Sequence, residues 1–514
     1  MNKTIDLQSN NLHLSFQETK DISVYAGDEI KVIVYGYPYD RNSANWLQAC
    51  DIAKNYEING TRFLNQIDGS FSIVILGMSD LVITDAFGIY NLYLTKRDNK
   101  FHVSNKLKNM ITSLENRDID EVALNDFLLL GYMLGNKTLF KKIKKLEPGT
   151  IYKFNKDFSI TKYHQIDLKP TNEAELIECF DKHISIGTNL SNKIVLPLTA
   201  GLDSRVILSG IVNDNIDIFT HQTNNTKDIK QAKAICSSLN LSHHVHLWKD
   251  IFSVDFLSIT LEQFECMINP YLFIPLYGSH RLAQDYGNTI WNGNGGEIYR
   301  NYYGRFGDKQ FKVENFYDRI WIIRQIEISD YHKQMLIESI QKELNKYRNF
   351  EYDTALNMFY LYNRYANFTG YSLMMSGKML NIFQPFISKK LINKIFGVNS
   401  NLLNNGKLLK SIIEKNYYSL TNYNVNGKEF FNPQAGKLTA KVLIRKIQNK
   451  YFYSNNYSKM ISSFNNDFEA LFTDLHPALE KYKKTLVDIK TKRKDYYYIT
   501  NLMAVNKYLK MVIK

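Results

Sequence analysis

Hydrophobic and polar positions change their rhythm near residue 170. Up to about residue 110, short apolar runs at 31–35, 71–76, 81–84 and 101–103 alternate with turns. That density of β-branched segments predicts an antiparallel sheet domain with a few helices. The polar stretch 166–175, with Pro170 in its middle, predicts a domain junction. A helix follows over 177–184, then an apolar run at 194–198 of the length a buried strand needs. Apolar residues return at helical spacing over 205–211, a strand is expected at 216–221, a helix at 228–239 and a strand at 245–247. Strand and helix alternating at this interval predict βαβ units and a parallel sheet, whose ligands sit at the carboxyl ends of the strands. From residue 316 onward the pattern is mostly helical, and the aromatics of 352–371 recur at three- and four-residue spacing, as core residues do.

The length, 514 residues, accommodates two or three domains, and 44% apolar with 22% charged residues is ordinary for globular chains. A net charge of +13 favours anionic partners, but the basic residues are spread along the chain. A solvated basic surface is therefore expected, with no nucleic-acid groove. The N-terminus lacks the apolar core of a signal peptide, and no window approaches the roughly 18 apolar residues of a membrane helix. The four cysteines are widely spaced without a C-x-x-C pair, which fits reduced thiols in a cytoplasmic protein. His243, His244 and His246 would be scattered by strand alternation, with no carboxylate or cysteine nearby, so no metal site is expected there.

The chemistry concentrates in the turn Thr199-Ala200-Gly201-Leu202-Asp203-Ser204, between the 194–198 strand and the 205–211 helix. A helix N-terminus presents free N–H groups to an anion. Thr199 and Ser204 add hydroxyls, Gly201 allows close backbone approach, and Asp203 offers a hard oxygen for Mg²⁺. No lysine-bearing phosphate loop occurs anywhere in the chain. A second turn, Asn292-Gly293-Asn294-Gly295-Gly296-Glu297, follows another apolar run and places a second carboxylate at Glu297.

The first turn resembles the S-G-G-x-D-S pyrophosphate loop of the asparagine synthetase family, with Thr199 and Ala200 replacing Ser and Gly. The second resembles that family's S-G-x-G-x-D-E, with Glu297 at the first acidic position and Ile298 at the second. Residues 64–71 and 85–93 resemble strands of the family's glutaminase domain, and Leu146–Thr150 resembles its closing L-x-P-G turn. The resemblance implies an α/β protein: a degenerate Ntn-hydrolase αββα domain over 1–168, then a parallel-sheet ATP-pyrophosphatase domain with added helices over 175–514. It implies ATP and pyrophosphate contacts at Leu198 to Ser204, Phe219, Thr220, His221 and Gly293, and Mg²⁺ at Asp203 and Glu297. Catalytic roles fall to Asp203, to Lys407 in N-G-K-L-L-K, and to Lys428 in N-G-K-E-F-F-N-P.

Two departures matter. The family's glutaminase needs an N-terminal cysteine, whereas Met1 is followed here by Asn2 and the first cysteine is Cys50. A glutaminase-dead domain is expected, as in β-lactam synthetase and lasso-peptide cyclases. The family's E-x-R-x-P-F-L-D is reduced to Pro385-Phe386, with Asn381, Phe383 and Ser388 at the Glu, Arg and Asp positions, so aspartate is not implied as substrate. The reading is an ATP-dependent, AMP-forming amide ligase using ammonia or an amine, in peptide lactam or surface-polysaccharide tailoring, compatible with a partner protein that delivers substrate. An ATP-pyrophosphatase acting on RNA and a non-catalytic descendant are the alternatives.

Overall fold

The computed structural model describes residues 3–112, 114–155, 157–222, 226–303, 328–426, 429–431, 462–482 and 496–513. The first part holds two sheets. The longer runs in the order Phe158–Lys162, Thr150–Phe154, Leu81–Thr84, Ile67–Leu76, Lys31–Asp40 and Ile22–Ala26, with Asn45–Trp46 added to Lys31–Asp40, and every pairing is antiparallel. The shorter orders Thr4–Gln8, Leu12–Gln17, Lys100–Ser104, Tyr93–Arg97 and Lys144–Lys145, with the Leu12–Gln17 and Lys100–Ser104 pair parallel.

Strand alternation builds the layers. Val32, Val34, Ile73 and Ile75 pack under the helix Ala49–Asn59 through Ile52 and Ala53. Ile33, Tyr35 and Val74, on the opposite face, join Leu12, Leu14 and Phe16 of the shorter sheet in the main core. The outer face of the shorter sheet carries half-buried His13 and His102, and the helix Leu107–Ile111 reaches it through Asn109. Asp85 is fully buried and accepts from the amides of Phe71, Phe87, Ile89 and Tyr90. Gly88 has φ +69°, and a Cβ there would meet Pro148 Cγ at 2.8 Å, so the 85–93 and 146–150 turns pack together.

In the second part the helix Glu173–Leu190 leads into a five-stranded, wholly parallel sheet. Its order is His243–Leu247, Ile216–Gln222, Ile194–Pro197, Thr289–Trp291 and Asn381–Phe383. Ile194–Pro197 sits in the middle because its residues are apolar on both faces. The fifth strand lies within a region whose pattern reads as helical: three residues are too few for a period to show. One core runs through both parts, and polar contacts cross it, such as Trp46 Nε1 donating to the Leu190 carbonyl at 2.9 Å.

The three histidines do point apart, His243 to Thr220, His244 to Asp217 and His246 to Ser279. The expectation that no carboxylate lies nearby is corrected: Asp217, on the adjacent parallel strand, takes His244 Nε2 at 2.9 Å. Among the described residues no cluster of three or more His, Cys, Asp or Glu is arranged to hold a metal ion. Nor is any helix there long and apolar enough to cross a membrane.

Candidate active site

The two motif turns leave adjacent parallel strands at their carboxyl ends. Residues 198–202 follow Ile194–Pro197, and Asn292 to Glu297 follow Thr289–Trp291. Asp203 opens the helix Asp203–Ile211, which has no side-chain N-cap, so its first amides keep the polarity that attracts an anion. The glycine turn is pressed against this residue. A Cβ on Gly296 would lie 2.6 Å from Asp203 Cγ, and one on Gly293 3.0 Å from Asp203 Cβ. Only glycine leaves room for the carboxylate there. Ala200 has no positive φ, which is why alanine is tolerated where the family pattern has glycine. A Cβ on Gly201 would meet only Thr199 Oγ1 within 4 Å, so the outer side of the turn is open.

The turn's own polar groups are partly turned inward. Thr199 N–H donates to Ser204 Oγ at 3.2 Å, Gly201 N–H donates to Thr199 Oγ1 at 3.2 Å, and the two hydroxyls are 3.4 Å apart. Ala200 N–H donates to Asp228 Oδ1 at 2.9 Å, so a carboxylate of the helix Lys227–Ser238 occupies one amide of the turn. Leu198 is buried in the strand register, its N–H bonded to the Phe219 carbonyl. Phe219 is core, and Thr220 Oγ1 donates to the Leu198 carbonyl. Of that trio His221 alone is half-buried, its imidazole held below the ordinary range by burial.

Asp203 carries the electrostatics. Its Oδ2 accepts from Arg300 Nη2 at 2.8 Å, while Oδ1 is buried without a hydrogen-bond partner. Burial pushes its carboxyl up to about 7; Arg300 pulls it down and Glu297 pushes it up. Glu297 lies in the same turn, accepting from the Gly295 amide at 3.2 Å and from the Tyr360 hydroxyl.

Lys407 is exposed at the start of the helix Lys407–Asn416. The preceding residue, Gly406, has φ +68° and would place a Cβ 2.8 Å from Leu202 Cδ1, so this helix start abuts the turn. Lys428 lies outside the described residues. The chain just before it is tied to the turn, since Asn426 N–H donates to the Ala200 carbonyl at 3.0 Å. Buried Arg205 donates to the carbonyls of Tyr423 and Asn424. Arg300, Asp228, Arg205 and Tyr360 were not marked by the sequence. Arg300 follows Glu297 by three residues in a short 3₁₀ turn, a spacing no motif reports.

Residues 48–164 match the model of a glutamine amidotransferase domain. The chain is 23% identical over 223 residues to asparagine synthetase [glutamine-hydrolyzing] 1 of Bacillus subtilis (strain 168), which spans 40% of this chain and 35% of that one. It is 24% identical over 248 residues to the asparagine synthetase [glutamine-hydrolyzing] of Triphysaria versicolor, 45% of this chain and 39% of that one. The aligned regions thus cover less than half of the curated relatives. These matches support an asparagine synthetase-like family. Among solved structures, the NH3-dependent NAD synthetase of Campylobacter jejuni subsp. jejuni NCTC 11168 is 15% identical at a TM-score of 0.20, covering 37% of this chain and 91% of that one. The glutamine-dependent NAD+ synthetase of Acinetobacter baumannii is 10% identical at 0.19, covering 57% and 75%.

Proposed function

We propose that the chain is an ATP-dependent carbon–nitrogen ligase that forms AMP and pyrophosphate while joining a carboxylate to an amine. The observation that carries this reading is Asp203, at an uncapped helix start, enclosed by a glycine turn that brings Glu297 beside it.

The residues fit a magnesium nucleotide. Asp203 Oδ1 is a buried acceptor with no partner, and Glu297 is a second carboxylate within electrostatic reach. Mg²⁺ is commonly held by one or two carboxylates together with substrate phosphates. ATP would supply the adenylyl group that activates the carboxylate, with Mg²⁺ offsetting charge on the departing pyrophosphate. Asp203 and Glu297 would hold the metal. The amides at the start of the Asp203–Ile211 helix, with Gly201 leaving the approach open, would cradle the pyrophosphate. Arg300 would turn its guanidinium from Asp203 to a phosphate oxygen. His221 would set the edge on which the adenine lies, with Leu198, Phe219 and Thr220 buried behind it. Lys407 and Lys428 would meet charge that grows near the transition state.

All four cysteines sit on helices or in the turn after one: Cys50 in Ala49–Asn59, Cys179 in Glu173–Leu190, Cys236 in Lys227–Ser238, and Cys266 two residues past Phe264. None belongs to a strand of the first two sheets. The nitrogen is therefore taken as ammonia, a substrate amine or an amine from a partner. Lactam formation in peptide tailoring and amidation of a surface-sugar carboxylate both fit. The test is nucleotide product analysis with a substrate found among metabolites that accumulate on gene deletion. AMP and pyrophosphate are expected, and ADP as the main product would overturn the reading.

A further inference from the structure

The helix Tyr352–Phe359 runs into a ten-residue π-helical stretch, Tyr360–Thr369, before α-helix resumes at Gly370. π-helical turns are rare and occur disproportionately at functional sites. This one carries two residues of interest. The Tyr360 hydroxyl hydrogen-bonds to Glu297, at the candidate metal site. Four residues on, the Arg364 guanidinium lies over the Phe368 ring, 3.7 Å from its centroid, and 5.3 Å from that of Tyr132.

An aromatic wall joins these two points. Tyr132 hydrogen-bonds to both Arg364 and Tyr303. The Tyr303 ring is 5.5 Å from that of Tyr360, and the Tyr302 ring is 6.1 Å from it. Tyr132 and Tyr360 are buried, and Tyr302, Tyr303, Arg364 and Phe368 are half-buried.

The arginine's company is unusual. Among the described residues no carboxylate forms an ion pair with Arg364; burial works against its charge, and the hydroxyls of Tyr132, Tyr497, Tyr303 and Tyr360 are among the groups that favour it. Several other partly buried cations are matched: Arg300 by Asp203, Lys137 by Asp126, Arg205 by carbonyls. Withdrawing a guanidinium from water is costly, and cation–π contact offsets only part of that cost. Stacking on Phe368 leaves the edge of the guanidinium, with its fork of N–H donors, as the recognising element. That fork matches a carboxylate, which it takes in a bidentate pair.

We propose that Arg364 anchors a carboxylate of the acceptor substrate, whose flat apolar body lies against Tyr302, Tyr303 and Tyr360 on the way to Glu297. The proposal deepens the ligase reading and rests on it only for the bound carboxylate being a substrate.

The test is calorimetric titration of the full chain with benzoate and with benzamide, its neutral isostere, alongside Mg²⁺·ATP. Wild type is expected to prefer benzoate by about tenfold or more, as a charge-assisted pair requires. Arg364→Met, which keeps the aliphatic packing, should erase the preference, and Arg364→Lys should retain part of it. Mg²⁺·ATP affinity should be unchanged in both variants, which also checks that they fold. Equal binding of the two probes, no benzoate binding to wild type, or a preference that survives in Arg364→Met would overturn the proposal. If benzoate behaves as expected but wild type binds no Mg²⁺·ATP, the ligase reading fails while the anion site stands. If Mg²⁺·ATP binds and the preference is absent, the reverse holds.

Discussion

Arg300 Nη2 stands 2.8 Å from Asp203 Oδ2, so the carboxylate that opens the Asp203–Ile211 helix already has a cationic partner. The pair is only partly exposed, with side chains at 24% and 21% of full accessibility, and each partner keeps one buried unpaired atom, Arg300 Nε and Asp203 Oδ1. A pair with unsatisfied atoms on both sides is poised to exchange partners.

Removing one member should therefore cost more than removing both. Arg300→Gln leaves the carboxylate without its cation and should destabilise by about 1–3 kcal/mol, the cost of an unsatisfied buried group. Asp203→Asn combined with Arg300→Gln should cost less than Arg300→Gln alone, read by denaturant midpoints in a double-mutant cycle. Strict additivity would show that the contact contributes nothing.

Asp203→Asn alone should abolish ATP-dependent turnover with the fold intact. Loss of a group that supports developing charge costs on the order of 10²–10³ in rate. A variant that turns over at the wild-type rate, with an unchanged circular dichroism spectrum, would make Asp203 merely a helix-start carboxylate.

Gly296→Ala tests the enclosure of Asp203. Its methyl would fall 2.6 Å from Asp203 Cγ, so the carboxylate must shift, with a turnover loss of about 10²-fold as misplacement by an ångström produces. Gly201→Ala is the contrast, because its Cβ meets only Thr199 Oγ1, at 3.2 Å. That variant should keep wild-type stability and lose pyrophosphate affinity, since the methyl narrows the approach. Gly296→Ala is read by ATP-dependent turnover, Gly201→Ala by thermal melting and titration with pyrophosphate.

Two buried imidazoles lie behind the parallel sheet's strand ends, His246 on the strand His243–Leu247 and His280 on the helix Ile274–Ala283. Burial, with neighbouring histidines, pushes His246 down to about 4 and His280 down to about 3. Below about pH 6.5 the unfolded chain binds protons at these groups and the folded chain does not, so stability falls as the solution is acidified. Denaturant midpoints should drop between pH 7 and 5, and His280→Gln should flatten part of that slope. An unchanged slope would mean that His280 is protonated in the folded protein.

Much of this was legible in the sequence, for identifiable reasons. The strand Leu81–Thr84 announces itself through an unbroken β-branched and apolar run, and Ile216–Gln222 through its β-branched and aromatic residues. The helix Lys227–Ser238 does so through its apolar period. The two motif turns stand out because glycine and small residues interrupt apolar runs, and the parallel sheet then has to bring them together. What the sequence did not carry is partnership. Nothing local to Arg300 announces Asp203, 97 residues earlier, as its counter-ion, and nothing local to Ala200 announces Asp228. The strand Asn381–Phe383 is too short for a period, and the π-helical stretch reads as ordinary helix because its aromatics are spaced as core residues are.

The most direct test of the central claim is a crystal structure with Mg²⁺ and the non-cleavable analogue α,β-methylene-ATP. The account predicts the β- and γ-phosphates against the 199–204 turn, the metal on Asp203 with Glu297 beside it, and the Arg300 guanidinium moved from Asp203 to a phosphate oxygen. A nucleotide bound elsewhere, or bound here with the Asp203–Arg300 pair intact and no metal on Asp203, would contradict it.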